Sequence, residues 1–458
     1  MSNLFTRKSL GLLALGALGL AAPAAAQTTP VPFTAGNYVV LRVGDGTAAL
    51  TNASTAVFLQ EYTATGTQVQ TVALPTAASG STLPFTITGN SGAEGFLTRS
   101  ADGRYLVIPG YSVAPGTTGL PSTTSAAVNR AIGRVASTGV FDGSTRIIDA
   151  FSGGNIRSAA SANGSAFYAV GNAGGVVYVP FGNSTAASTT ISTGMPVNDR
   201  MVGIFGGNLY VSSGSTPTYG VSQVGTGLPT TSGQTQTLLT NVVPASGTAT
   251  AASSYAFLFT DQSATVPGND VLYVADDGSA TTTPGGIQKW SLVNGAWTLN
   301  GTIGTTMQSV RGVAGTAVGG ITTLLVTSAT TLYSVTDATG YNVAPSSTAT
   351  LTTLAVAATN TAFRGVAPAP LATALAARLE ATQQELALYP SPAQDVLTLA
   401  LPTGAIAGHQ IEVRDLLGRV VLATTLPASG QLRVAGLAPG TYLLTLDGSL
   451  TRRFSKSE

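Results

Sequence analysis

One phrase recurs about every fifty residues and limits what this chain can become: an arginine, a few small or apolar residues, a turn, then a strand-like run containing tyrosine. It reads Arg99-Ser-Ala-Asp-Gly-Arg-Tyr-Leu-Val-Ile108, then runs from Arg157 to Val170 and from Arg200 to Val211. It returns as Arg311-Gly-Val-Ala ahead of Thr323-Leu-Leu-Val326. A weaker copy has Tyr255 in place of arginine, followed by Val271-Leu-Tyr-Val274, and the last, Phe363-Arg-Gly-Val-Ala-Pro368, stops after one strand. The intervals between positions 99, 157, 200, 255, 311 and 364 are 58, 43, 55, 56 and 53 residues. A unit of about 50 residues with four short strands predicts a propeller blade, a sheet packed on its neighbours around a central channel. The truncated copy needs a sheet to join, and the strands from Tyr38 to Leu74 lack a first copy. Pairing the two closes a ring and removes two open edges. The expectation is all-β: a six-bladed β-propeller over residues 27–370. Seven blades is the alternative, with a further unit between Gly110 and Phe151; a long sandwich or solenoid is the other arrangement such repeats allow.

The individual runs carry strand chemistry. Tyr38-Val-Val-Leu-Arg-Val43, Val57-Phe-Leu-Gln-Glu-Tyr62 and Val176-Val-Tyr-Val179 are β-branched and aromatic, bounded by turn residues. Asp102-Gly103, Asp142-Gly143, Asn163-Gly164, Asp277-Gly278 and Asn294-Gly295 have the chemistry of two-residue hairpin turns. Around the last of these, Trp290 and Trp297 are expected to pack across the hairpin, with carbohydrate stacking as the alternative. Only 9% of residues are charged, yet 44% are hydrophobic, which argues against disorder. A net charge of +1 gives no reason to expect nucleic acid as a partner.

Chemistry is scarce. The chain has no cysteine, so disulfides, thiolate metal sites and a cysteine nucleophile are excluded. Its single histidine is His409, which leaves the middle region without a Ser-His-Asp triad or a histidine zinc site. Twelve carboxylates lie in that region, only Glu61 and Glu94 being glutamates, and several precede glycine in turns. Asp270 with Asp276-Asp277 has oxygen ligands for Ca²⁺ but lacks the spacing of a calcium loop, so solvated turns are expected and no cofactor is implied. One constellation stands out: Arg99, Arg157, Arg200, Arg311 and Arg364 hold the same place in successive repeats, before the strand that would line the channel. Convergent guanidinium groups favour carboxylates, phosphates or sulfates. The competing expectation is that each arginine ties neighbouring blades together.

The ends of the chain carry addresses. Arg7 and Lys8 precede an apolar run from Leu10 to Ala22 and then Pro23-Ala-Ala-Ala26-Gln27, the pattern of a signal peptide over 1–26 cleaved between Ala26 and Gln27. The run is shorter than the ~20 residues of a spanning helix. At the other end, Ala367-Pro-Ala-Pro370 breaks the strand pattern, and 371–386 reads as a linker. From 387 to 458 about seven short strands predict a small immunoglobulin-like sandwich. Its motifs come in order: Tyr389-Pro390-x-Pro392, then Asp415-Leu-Leu-Gly418-Arg419 followed by Val420-Val421. Next come Leu437-Ala-Pro439-Gly440-x-Tyr442 and the basic tail Arg452-Arg453 with Lys456. This segment resembles the type A C-terminal sorting domain of the type IX secretion system of Bacteroidetes, although Ser391 stands where that family usually has Asn. The resemblance implies recognition by the outer-membrane type IX secretion machinery. It also implies cleavage by a sortase-like peptidase, then release or attachment to surface lipopolysaccharide.

The reading is a protein exported through the periplasm, secreted or held at the outer cell surface, whose propeller is a non-catalytic binding module for a glycan or protein ligand. The alternative is an extracellular polysaccharide hydrolase or lyase that uses carboxylates.

Overall fold

Alternation with both faces buried explains the strands of the middle domain. In Tyr38–Val43, residues Val39, Leu41 and Val43 enter one apolar cluster, while Tyr38 and Val40 enter another. The same split separates Leu106 and Ile108 from Val107, and Phe167 and Ala169 from Tyr168 and Val170. Successive side chains point to opposite faces, so a sheet covered on both faces reads as a nearly continuous apolar run. The core of this domain therefore lies between its sheets.

A computed structural model describes residues 31–192, 198–214, 220–239, 253–278, 285–304, 309–346, 349, 351–372, 387–400, 408–415, 419–446 and 450–457. The leader with Ala26 and Gln27, Gly418, and all of the expected linker except Leu371 and Ala372 lie outside these residues.

Six four-stranded antiparallel blades make the propeller. Blade 1 joins Ala362–Pro368 to Tyr38–Val43, Ser54–Tyr62 and Gln68–Ala73. Blade 2 holds Thr98–Arg99, Tyr105–Tyr111, Arg130–Ala136 and Phe141–Ile147. Blade 3 holds Ile156–Ala160, Ala166–Gly171, Val176–Pro180 and Thr189–Ser192; blade 4 holds Asp199–Phe205, Asn208–Ser213, Gly220–Val224 and Gln236–Leu238. Blade 5 holds Ser254–Thr260, Val271–Asp276, Gly286–Val293 and Ala296–Ile303; blade 6 holds Gly312–Val318, Ile321–Thr327, Thr331–Asp337 and Thr352–Val356. The strand named first in each blade is innermost, and these six strands adjoin one another in a closed circuit. The truncated repeat closes the ring as expected, Tyr38 opposite Pro368 and Val43 opposite Ala362. The strands between Gly110 and Phe151 are the outer half of blade 2, not a seventh unit. Thr86–Thr88 pairs with both Ser54–Tyr62 and Tyr105–Tyr111, joining blades 1 and 2 into one hydrogen-bonded sheet.

Among the described residues, one of the five Asp-Gly and Asn-Gly pairs makes the expected two-residue hairpin, while Asp102-Gly103 and Asn163-Gly164 lie in five-residue connections between strands. Asn294 and Gly295 take φ of 51° and 80°, as their two-residue hairpin requires. Asp142-Gly143 departs from that pattern: the pair lies inside Phe141–Ile147, at a register shift opposite Gly133. The Phe141 ring lies against both glycines, where added Cβ atoms would stand 2.6 Å and 2.9 Å from it. Glycine here makes room for an aromatic ring, and the turn is made at Gly139 instead.

Among the described residues, the C-terminal unit has seven strands in two sheets. Ala387–Tyr389, Val396–Ala400 and Gln431–Arg433 form one; Val420–Thr425, Gln410–Asp415, Gly440–Leu446 and Leu450–Lys456 form the other. Leu397, Leu399, Val413, Leu444 and Phe454 fill the space between them.

Candidate functional site

The innermost strands of blades 3 to 6 and 1 start at one mouth of the channel and bring four of the five repeat arginines together. The guanidinium groups of Arg200 and Arg311 lie 4.0 Å and 4.9 Å from the centre of the Tyr255 ring. Arg157 stands near enough to Arg200, and Arg364 to Arg311, for each pair to repel. The repeat without arginine thus supplies the aromatic platform on which two neighbouring arginines rest, a cation–π arrangement. Arg99 does not join them. In blade 2, Phe96 N donates to Arg157 O at 3.1 Å and Gly365 N donates to Gly95 O at 3.0 Å, so Gly95 occupies the level that arginine holds elsewhere and is followed at once by Phe96. Its ring meets Tyr255 at 5.4 Å. Arg99 is three residues further along the channel, about 10 Å at ~3.3 Å per strand residue. It donates to Ala369 O at 3.2 Å. Matching the repeat by residue type put it one turn of register away from where inter-blade hydrogen bonds place it.

The four mouth arginines are held mostly by neutral oxygen. Arg157 Nη1 donates to the Asn198 side chain and to Asp199 O, and Arg200 Nη1 donates to Ser253 Oγ. Arg364 donates to Phe363 O at 3.0 Å and Gly89 O at 2.7 Å. Arg311 alone among them pairs with a carboxylate among the described residues, Nε and Nη2 both reaching Asp277 Oδ2 at 2.9 Å and 2.8 Å. Gly92 and Gly214 permit the close packing: a Cβ on either would stand within 2.6 Å of Arg311 or Arg200 guanidinium nitrogens. The buried Nε–H groups of Arg157, Arg200 and Arg364 have no acceptor among the described residues. Burial, then the neighbouring arginine, pushes the guanidinium pKa of Arg157 down to about 10; burial likewise brings Arg364 to about 10. The mouth is a cluster of partly desolvated cations short of anions, an arrangement that costs free energy until an anion enters it.

The carboxylates nearby are structural. Glu94 is fully buried and accepts from Thr88 N and Oγ1 at 2.9 Å each, from Tyr111 Oη at 3.3 Å and from Asn155 Nδ2. Asp270 and Asp276 sit at opposite ends of one strand and cap separate turns, while Asp277 pairs with Arg311, so the three do not form a calcium site. Asp199 is also fully buried; it accepts from Gln236 Nε2 at 3.3 Å, and its Oδ1 has no partner. Burial pushes its carboxyl up to about 8 from an ordinary 3.8. The folded state therefore holds a proton that the unfolded state loses, and stability falls as pH rises from about 4 through about 8. Asp199→Asn should flatten that decline, worth on the order of 2–4 kcal/mol across the window. Urea titrations from pH 5 to 8.5 would show it; parallel curves for wild type and variant would contradict it.

Trp290 and Trp297 are 3% and 6% exposed. Trp290 Nε1 donates to Gln288 Oε1 at 3.1 Å, and Trp297 lies edge-on to Phe259 at 5.5 Å. They pack and offer no stacking face to a sugar. In the C-terminal unit, Arg419 Nε and Nη2 both reach Asp415 Oδ2 at 2.7 Å across the hairpin turn. Pro439 and Gly440 lead into the strand bearing Tyr442, whose hydroxyl donates to Ala438 O at 2.7 Å and whose ring stacks on Phe454 at 5.7 Å. Arg452, Arg453 and Lys456 lie on the final strand, Tyr389 ends the first, and Pro390 and Pro392 follow it.

Residues 387–456 match the family model of the secretion system C-terminal sorting domain. The segment is a type IX sorting signal, and the chain is an exported protein. No curated protein matches the chain. Among solved structures, it is similar to a Bacteroides fragilis protein proposed to be a 6-phosphogluconolactonase: 13% identity over 72% of this chain and 97% of that one, TM-score 0.38. It is similar also to the extracellular domain of a proposed one component system from B. thetaiotaomicron: 9% identity, 93% and 57% coverage, TM-score 0.36. A third is the β-propeller domain of Myceliophteria thermophila Cps50 (Swd1): 9% identity, 82% and 100% coverage, TM-score 0.34.

Proposed function

We propose that the exported propeller is a non-catalytic binding protein, delivered outside the cell, that takes an anionic ligand such as an acidic glycan at its arginine mouth. The observation that carries this reading is the convergence of Arg157, Arg200, Arg311 and Arg364 around Tyr255, with three Nε–H donors that find no acceptor and one direct carboxylate pair among the described residues. A planar guanidinium fork matches carboxylate, sulfate or phosphate, and Tyr255 supports two of the forks. Binding is favoured over hydrolysis because Glu94 and Asp199 are fully buried and held in the protein, whereas a glycosidase needs two carboxyl groups flanking its substrate. The sorting domain supports delivery to the outside and is silent about the ligand.

An array of uronate-containing, sulfated and neutral oligosaccharides, screened for both binding and cleavage, tests the reading. Acidic glycans should bind and stay intact. The double variant Arg157→Gln/Arg311→Gln should weaken them at least about tenfold, since each charge-assisted hydrogen bond is worth about 1.5–3 kcal/mol. Absence of affinity for any anion would refute the reading, and release of reducing ends would favour the polysaccharide hydrolase or lyase.

A further inference from the structure

We propose that the opposite end of the channel is a second binding site, for a small molecule with an aromatic or aliphatic body and a carboxylate head. The later residues of the innermost strands enclose a cavity of about 230 Å³. Leu97, Phe205, Phe257, Leu258 and Val313 form the apolar part of its wall, Thr98, Ser100 and Ser161 add hydroxyl groups, and Arg99 is the one charged residue among the described residues that line it. Gly203 shapes it: a Cβ there would stand 2.7 Å from the Phe205 ring, which instead lies across the bare backbone. The volume is roughly that of eight waters in the liquid, or about ten non-hydrogen atoms of an organic molecule. A concave site with apolar walls and a few placed polar groups is the usual form of a small-molecule site.

Arg99 sets the charge of the occupant. Among the described residues its side chain bonds to a neutral carbonyl, Ala369 O at 3.2 Å. The nearby Asp102 is already taken by Ser100 Oγ at 2.6 Å and by the Arg104 side chain. Arg99 therefore brings a cation to the chamber wall with no carboxylate hydrogen-bonded to it among the described residues, and the head of a bidentate carboxylate would supply that partner. The site is separate from the arginine mouth, because the Phe96 and Tyr255 rings meet between the two ends.

The test uses the full chain and three probes of one shape: 3-phenylpropionate, 3-phenylpropanol and 3-phenylpropylamine, titrated by calorimetry. The carboxylate should bind at least tenfold more tightly than the alcohol, and the amine least. Arg99→Gln should remove the preference for carboxylate over alcohol at the chamber, whereas Arg157→Gln/Arg311→Gln should remove binding at the mouth and leave that preference in place. Wild-type protein labelled at the methionine methyl groups gives a reading that needs no variant: the Met201 signal, from the cavity wall, should shift on adding the carboxylate. Failure of folded wild type to bind the carboxylate at millimolar concentration would overturn the proposal. So would equal affinity for all three probes, or loss of the carboxylate preference in the mouth variant alone.

Discussion

Replacing Lys289 with methionine should lower the unfolding free energy of the propeller by about 3–5 kcal/mol. Lys289 Nζ meets Asp337 Oδ2 at 2.7 Å with both side chains fully buried, and it also donates to Thr339 Oγ1 at 2.8 Å and Gly340 O at 2.6 Å. Asp337 accepts further from Tyr273 Oη at 2.8 Å and Thr339 N at 3.0 Å. Burial pushes the Asp337 carboxyl up, but the hydrogen bonds from Lys289, Thr339 and Tyr273 outweigh it and hold the group below its ordinary value. Lys289 and Tyr273 belong to blade 5 and Asp337 to blade 6, so the pair is a polar staple across a blade interface. Removing the cation leaves a buried anion with neutral donors only. Removing both charges, as in Lys289→Met/Asp337→Leu, should recover most of the loss, because two apolar groups need no desolvation. Urea denaturation of the wild type, both single variants and the double variant closes the cycle. Single-variant losses below about 1 kcal/mol would show that water reaches the pair after all.

This staple had no signature in the sequence. Lys289 falls in a strand of mixed polarity, Ile287-Gln-Lys-Trp-Ser-Leu292, and Asp337 ends another; only the stacking of blades makes them partners. The burial of Glu94 and Asp199 escaped for the same reason. A carboxylate before glycine or at a strand start looks like a solvated turn unless the neighbouring sheet is known. Local signals fared better. The Asn294-Gly295 hairpin, the burial of both tryptophans and the pairing of Arg364's strand with Tyr38–Val43 follow from period-two patterning and from an unpaired edge.

The arginine mouth was half legible. Repetition alone aligned the five arginines, and four of them converge; the fifth was misplaced because the repeat was matched by residue type, while register is fixed by backbone bonds such as Phe96 N to Arg157 O. Tyr255 looked like decay of the motif. Its ring is instead the surface on which Arg200 and Arg311 rest, so the deviation from the repeat marks the centre of the site.

Deleting residues 442–458 should abolish appearance of the protein outside the cell and leave it in the periplasm, with the propeller still folded. The deletion removes nearly all of Gly440–Leu446 and the whole of Leu450–Lys456, the half of a four-stranded sheet that pairs with Gln410–Asp415. Tyr442, Leu444 and Phe454 leave the small core with it, and a unit of about 70 residues has little apolar burial to spare. The propeller has no such dependence, because its ring is closed by Ala362–Pro368 against Tyr38–Val43. Its melting transition should therefore match that of the full chain while export fails. Phe454→Ala should give a graded version, since removing a buried phenylalanine costs about 3–5 kcal/mol. Fractionating cells that express the full chain, the truncation and the point variant separates loss of the address from loss of the cargo. As the positive arm, residues 387–458 fused to an unrelated secreted protein should carry it to the outside. Normal export of the truncated chain would refute the role of this unit as the address, however well its motifs match.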